Sequence, residues 1–212
     1  MANFALLIPV IFRWEGGYAN DPRDRGGETY KGVARNAHPT WEGWKIVDAE
    51  KARMGGKLPK NYFIQNPALD AMVEGLAKRI YWDFFKADQI KSQEIAEIIV
   101  DWGWASGTVT AAKQVQRLLG VPDDGRFGEV TLKKLNAGNP EKMFNAIQQA
   151  RIRFVENIVK NNPSQAVYLK GWKNRILGFQ SPETRKRWLA VKLGGGLVVV
   201  LGIGFTLKNY LL

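Results

Sequence analysis

Apolar residues return every three to four positions in several stretches of the chain, and no alternating run lasts more than a few residues, so the pattern predicts helices. The first begins at Phe4, with Phe4, Leu7, Ile11 and Trp14 on one face, Asn3 as its N-cap and Gly16-Gly17 as its stop. Pro9 either starts the regular helix or kinks it. Residues 16–40 are rich in Gly, Asp, Asn and Pro and read as a long structured loop or a small β-hairpin. Beyond them the chain is helical in pieces, broken at Lys57-Leu58-Pro59-Lys60 and at Asn66-Pro67, where Asn66 is a good helix start. Leu69 to Phe85 is amphipathic, with Leu69, Met72, Val73, Leu76, Ile80 and Phe84 on one face. Ile95 to Val100 is apolar enough for a core helix.

A second unit is expected from about Asp101. It holds a helix over Ala111–Leu119 ended by Gly120, a turn at Asp123-Asp124-Gly125, and a short helix over Val130–Leu135. A longer helix, capped by Asn139 with Pro140 at its first position, should run to about Lys160, and a last soluble helix covers Ala166–Ile176. Three regions follow: 1–97, 98–180 and a basic linker with a hydrophobic tail over 181–212. Leu193–Leu207 carries no charge and five glycines. As a helix it spans about 22 Å, short of a hydrocarbon core of about 30 Å. Extended from Trp188 to Leu212, with Lys192 and Lys208 snorkelling, it reaches the length of one membrane span. A helix buried against a partner subunit is the alternative.

Composition narrows the chemistry. Of 212 residues none is cysteine and one, His38, is histidine. Disulfides, thiolate catalysis and ordinary zinc sites are thereby excluded or improbable, and no metal or cofactor is implied. What remains is carboxylate chemistry. The formal charge is +11, and ten basic residues between Arg151 and Lys192 face only Glu156 and Glu183. An acidic polymer or an anionic membrane surface fits that balance. No phosphate loop or nucleic-acid module accompanies it, so nucleic acid is not an expected partner.

The informative stretch is Glu15-Gly16-Gly17-Tyr18-Ala19-Asn20-Asp21-Pro22-Arg23-Asp24-Arg25-Gly26-Gly27-Glu28-Thr29-Tyr30-Lys31-Gly32-Val33. Glu15 ends an apolar helix, where the helix dipole is negative, and Trp14 and Tyr18 can desolvate it; both effects disfavour its ionised form. A carboxyl that keeps its proton near neutral pH is what a general acid needs. Asp21, Asp24 and Thr29 follow, and two glycine pairs let the backbone approach a ligand. A raised Glu with a second carboxylate nearby is the minimal kit for cleaving a glycosidic bond. A helix end followed by an Asx-rich turn accounts for the same residues without chemistry. Trp41 and Trp44 either line a saccharide cleft or pack between helices.

This ordered run closely resembles the N-terminal signature of glycoside hydrolase family 108, phage and prophage endolysin-type N-acetylmuramidases. Asp101-Trp102-Gly103-Trp104-Ala105-Ser106-Gly107 and Gly120-Val121-Pro122-Asp123-Asp124-Gly125-Arg126-Phe127-Gly128 resemble the peptidoglycan-binding region that follows that module. The two together span about residues 4–176. The resemblance implies a mainly α, lysozyme-like fold with a small loop or β-hairpin after the catalytic helix, to which the chain adds a C-terminal hydrophobic helix. It implies peptidoglycan as substrate and Glu15 as general acid, with Asp24 stabilising the transition state or positioning water and Thr29 assisting. Tyr18, Asn20, Asp21 and Trp102 are candidate substrate contacts, Trp102 having core packing as its other reading.

The tail adds expectations of its own: membrane contact through residues 188–212, or docking in a phage particle or secretion machine. With no N-terminal signal peptide evident, the chain is expected in the bacterial host cytoplasm or inner membrane before it acts on the periplasmic wall. The rival function is a membrane- or particle-anchored wall-binding component with a vestigial hydrolase site.

Overall fold

The computed structural model describes residues 1–21 and 27–193, and for residues 13, 14 and 191–193 the backbone alone. Asn3 caps the first helix, α1 (Phe4–Trp14), its side chain accepting from the Ala5 amide at 2.9 Å. The helix runs through Pro9, whose missing donor leaves the Ala5 carbonyl without its usual partner. Leu7, Ile8 and Ile11 are buried.

The glycine-rich stretch then forms a small antiparallel sheet of β1 (Tyr18–Asn20), β2 (Glu28–Tyr30) and β3 (Val33–Ala34), in that order. Tyr18 pairs with Tyr30 and Tyr30 with Val33, and all three point into a core shared with Trp44, Val47, Leu58, Ile64, Leu69, Val73 and Leu76. Lys31 and Gly32, both at positive φ (45° and 80°), make the two-residue turn between β2 and β3, as a type I′ hairpin needs. Helices α2 (Gly43–Arg53) and α3 (Pro67–Ala77) complete this sheet lobe. Asn66 caps α3 as its sequence predicts, accepting from the Leu69 amide at 3.0 Å.

The expected amphipathic run from Leu69 to Phe85 is interrupted. The α-helix ends at Ala77 and a π-helical turn, Lys78–Trp82, follows, with the Asp83 amide bonded to the Lys78 carbonyl. A π turn inserts a residue into the 3.6-residue period and rotates everything after it. Trp82 and Phe85 are therefore fully buried, where the simple period favours Ile80 and Phe84; Met72, ahead of the turn, is exposed.

The body of the molecule is built on α4 (Gln93–Ser106), which is buried continuously from Ile95 to Gly103. The boundary expected between residues 97 and 98 falls inside this unbroken helix. Against it pack α5 (Thr108–Leu119) and α7 (Pro140–Asn161), with α6 (Glu129–Ala137) on α5 and α8 (Ala166–Leu177) on α7. Asn139 caps α7, accepting from the Lys142 amide at 3.0 Å. Buried Gln116 braces the Asp124–Arg126 turn, taking the Gly125 amide and donating to Asp124 Oδ1 and the Arg126 carbonyl.

A further helix, α9 (Pro182–Leu193), stands where the sequence suggests a basic linker. Arg185 ties it to the body through both oxygens of buried Glu97, at 3.0 and 3.1 Å. Burial pushes the Glu97 carboxyl up, against the pull of Gln93 and Arg185. The basic arm is thus partly internal: Arg151, Arg175 and Arg185 each hold a carboxylate. Among the described residues no helix is long and apolar enough to cross a membrane. The hydrophobic helix and the membrane and particle contacts expected of the tail fall, from residue 194, outside the described residues. The chain is mainly helical, with its one described sheet directly after the first helix.

Candidate active site

Glu15 is the C-cap of α1, where the backbone leaves helical geometry (φ −93°, ψ 133°). The chain then turns sharply into β1. It can do so because Gly17 lies against the Tyr62 backbone: a Cβ there would clash with the Tyr62 carbonyl oxygen. This close approach swings Glu15 into the seam between the sheet lobe and the helical body.

Its Oε1 accepts two hydrogen bonds from the far side of that seam. Trp104 Nε1, on α4, donates at 3.0 Å and Arg175 Nη1, on α8, at 3.1 Å. Oε2 faces the β2–β3 turn, where a Cβ on Gly32 stands 3.1 Å from that oxygen and 2.6 Å from the Trp104 ring. Tyr81 stacks on Trp104 with ring centroids 4.6 Å apart. The Tyr81 hydroxyl titrates above the ordinary phenol value, because of burial first and the Glu15 charge second. The carboxyl is therefore walled by two aromatic rings, a glycine turn and a guanidinium.

Arg175 does not serve Glu15 alone. Its Nε and Nη2 grip Asp101 at 3.0 and 2.7 Å. Asp101 is fully buried and takes a further bond from Arg151 Nη2 at 2.5 Å. Arg151, 2% exposed, also donates to the Ile98 carbonyl at 3.3 Å. Burial works against the Arg175 charge, and Asp101 and Glu15 together outweigh it. The result is a chain of alternating charges, Arg151–Asp101–Arg175–Glu15, buried at one end and reaching the seam at the other.

The remaining sequence candidates separate. Thr29 lies in β2 opposite Ala19 and Ala34, on the sheet face away from the Tyr18–Tyr30 core. Asn20 is exposed at the end of β1. Asn20 and Asp21 line a cavity of about 640 Å³ with Lys51, Lys57 and Lys60. Tyr18 is 4% exposed, and its hydroxyl donates to Glu28 Oε1 at 2.7 Å. Burial raises its titration first, with Glu28 adding to it. Trp102 is 1% exposed and packs edge-on against Phe154, because α4 turns it away from the seam that Trp104 faces. Trp44 is core, its Nε1 bonded to the His38 carbonyl at 2.7 Å, while Trp41 meets it edge-on. Asp24 and the side chain of Trp14 lie outside the described residues. No group of three or more possible metal ligands occurs among the described residues.

Asp101, Tyr81 and Arg175 were not legible as site residues. Arg175 reads in sequence as one more member of a basic arm, although Asp101 and Trp104 sit in a motif that the sequence already marks.

Residues 8–107 match the family described as Glycosyl hydrolase 108, and residues 110–177 the one described as Predicted Peptidoglycan domain. The structure of Brucella abortus SagA is similar, with a TM-score of 0.59 and 25% identity, over 88% of this chain and 94% of that one. No curated protein matches. The first match ends at Gly107, between α4 and α5, and the second begins at Thr110, so Glu15 and Trp104 come from the first and Arg175 from the second. The match to glycosyl hydrolase 108 over residues 8–107, with the peptidoglycan domain behind it, makes the chain a glycoside hydrolase acting on peptidoglycan.

Proposed function

We propose that the chain is an N-acetylmuramidase that cleaves the β-1,4 bond between N-acetylmuramic acid and N-acetylglucosamine, with Glu15 as the general acid. The observation that carries the reading is the Glu15 carboxyl, set at a helix end in the seam between the two lobes and walled by Trp104, Tyr81 and Gly32. Glycosidic cleavage needs a positioned acid at the leaving oxygen and a second group on the far side of the sugar ring. Glu15 delivers its proton to the glycosidic oxygen as the C–O bond breaks. The pairing with Arg175 belongs to the carboxylate, so protonated Glu15 has to part from it. Arg175 can part without being stranded, because Asp101 remains its bidentate partner. Asp24 is the second carboxylate in this reading, with Thr29 assisting from β2. An anomer retained during digestion makes Asp24 the nucleophile, and an inverted one makes it the base for water.

The test is release of fragments from purified peptidoglycan, read by turbidity and mass spectrometry, with the intact protein and Glu15→Gln. Fragments with reducing muramic acid ends from the first and none from the second are expected. Reducing glucosamine ends overturn the bond assignment, and full activity in Glu15→Gln overturns the acid. Wall binding without release by either protein leaves a binding component instead.

A further inference from the structure

Helix α8 lies in the region matched as a peptidoglycan domain, yet its Arg175 touches the carboxyl of the hydrolase region. The same helix face carries Trp172 and Tyr168, at the i, i+4, i+7 spacing that lines up side chains along one stripe. Their rings stack, with centroids 5.8 Å apart and planes at 29°. Trp172 is half-buried, and Tyr168 is 55% exposed. Trp172 and Arg175 line one small cavity of about 100 Å³ together with Ala105 and Ser106, the two residues after Trp104 on α4. From Arg175, which holds Glu15, this face runs outward about 10 Å along the helix to Tyr168, and its two aromatic residues cover about 6 Å of that.

Core packing explains Trp172 in part but not Tyr168, whose ring extends the stack into solvent. A flat apolar face with a polar tip, next to the residue that holds Glu15, suits a ligand that is itself part apolar and part hydroxylated. A pyranose ring has that character, with C–H bonds on its faces and hydroxyls around its rim. An aromatic platform of about 6 Å matches the scale of one such ring.

The geometry points to a glycan subsite on α8, in which Tyr168 and Trp172 stack against a sugar ring of the wall polymer beyond the bond at Glu15. It rests on the muramidase reading for the identity of the glycan. The peptidoglycan region would then act as one wall of the catalytic cleft, not as a separate binding module.

The experiment measures binding of peptide-free glycan strands, in a series of lengths, to Glu15→Gln by calorimetry. Tyr168→Ala and Tyr168→Phe are added in the same background. Tyr168→Ala should weaken binding of long strands about five- to tenfold, and Tyr168→Phe should preserve it, since the stack needs the ring. Strands too short to reach α8 should bind all three alike. Equal affinity of Tyr168→Ala and its parent for every length overturns the subsite, as does equal weakening by Tyr168→Phe or a parent that binds no strand at all. A shift of Tyr168→Ala to a smaller species in gel filtration makes the stripe a self-association face and also overturns it. Cleavage by the unmodified protein is read separately, so loss of the muramidase reading and loss of the subsite are distinguishable.

Discussion

Glu15 and Glu28 stand thirteen residues apart in one glycine-rich motif, and both are held by cations, but by opposite means. Glu28 is held from within its own lobe. Tyr18 and Lys51 donate to its Oε1 and Arg35 pairs with it, the most distant partner being 23 residues away. Glu15 is held across the seam, by Trp104 at a separation of 89 residues and Arg175 at 160. The first arrangement stabilises a small sheet whatever the rest of the molecule does. The second exists only when α1, α4 and α8 are packed together. The carboxyl proposed as the acid is thus tied to assembly of the whole fold, and the other is tied to its neighbourhood.

Breaking the long-range side should cost most. Asp101→Ala removes the anion between Arg151 and Arg175 and leaves Arg151 charged at 2% exposure. Loss of one partner from a buried pair costs about 3–5 kcal/mol. Urea unfolding should show that loss in Asp101→Ala, and activity should fall with it because Arg175 loses its anchor. A change below about 1 kcal/mol means the network is a surface feature, and the contrast with Glu28 then disappears.

The same contrast decides what was legible in the sequence. Asn3, Asn66 and Asn139 were readable as caps because a cap bonds an amide two or three residues on. The small sheet after α1 was readable from glycine and Asx content, and Glu15 from its place at the end of an apolar run. The π turn at Lys78–Trp82 was not, since its residues are ordinary helix formers and only packing selects the wider turn. Nor was α9: Arg185-Lys186-Arg187 looks like a linker until Glu97, 88 residues earlier, is known to receive Arg185. Arg175 was lost in the same way, because charge counting sees a sum and the fold sees a partner.

Gly32 offers a sharper, intermediate test because it belongs to the sheet lobe and touches the seam. At φ 80° an added Cβ is strained, and it stands 2.6 Å from the Trp104 ring. Trp104 cannot retreat freely, being stacked on Tyr81 and bonded to Glu15. Gly32→Ala should destabilise by about 1–3 kcal/mol. Displacement of the acid should lower kcat by 10-fold to 100-fold, on the order seen for ångström-scale misplacement. Activity falling far more than stability locates the effect at Glu15. Parallel losses place it in the turn alone.

The smallest effect belongs to Glu28. Burial by itself pushes its carboxyl up, but hydrogen bonds from Lys51 and Tyr18 and the charge of Arg35 outweigh it and hold it below the usual value. The folded state therefore binds this proton less readily than the unfolded chain does. Its contribution is complete above the unfolded carboxylate value, about 4.3, and is lost as pH falls through the lower folded value. Glu28→Gln should cost about 1 kcal/mol at pH 7, about 2–4 °C in melting temperature for a chain of this size. Melting curves of the two proteins, separated at neutral pH, should converge toward pH 3. Activity at pH 7 should stay with the folded fraction, since no partner of Glu28 touches Glu15. A gap that stays constant into acid means the carboxylate charge is not what holds the lobe. Loss of activity without loss of folding means the sheet transmits its geometry to the acid, so that the two carboxyls of the motif form one device and not two.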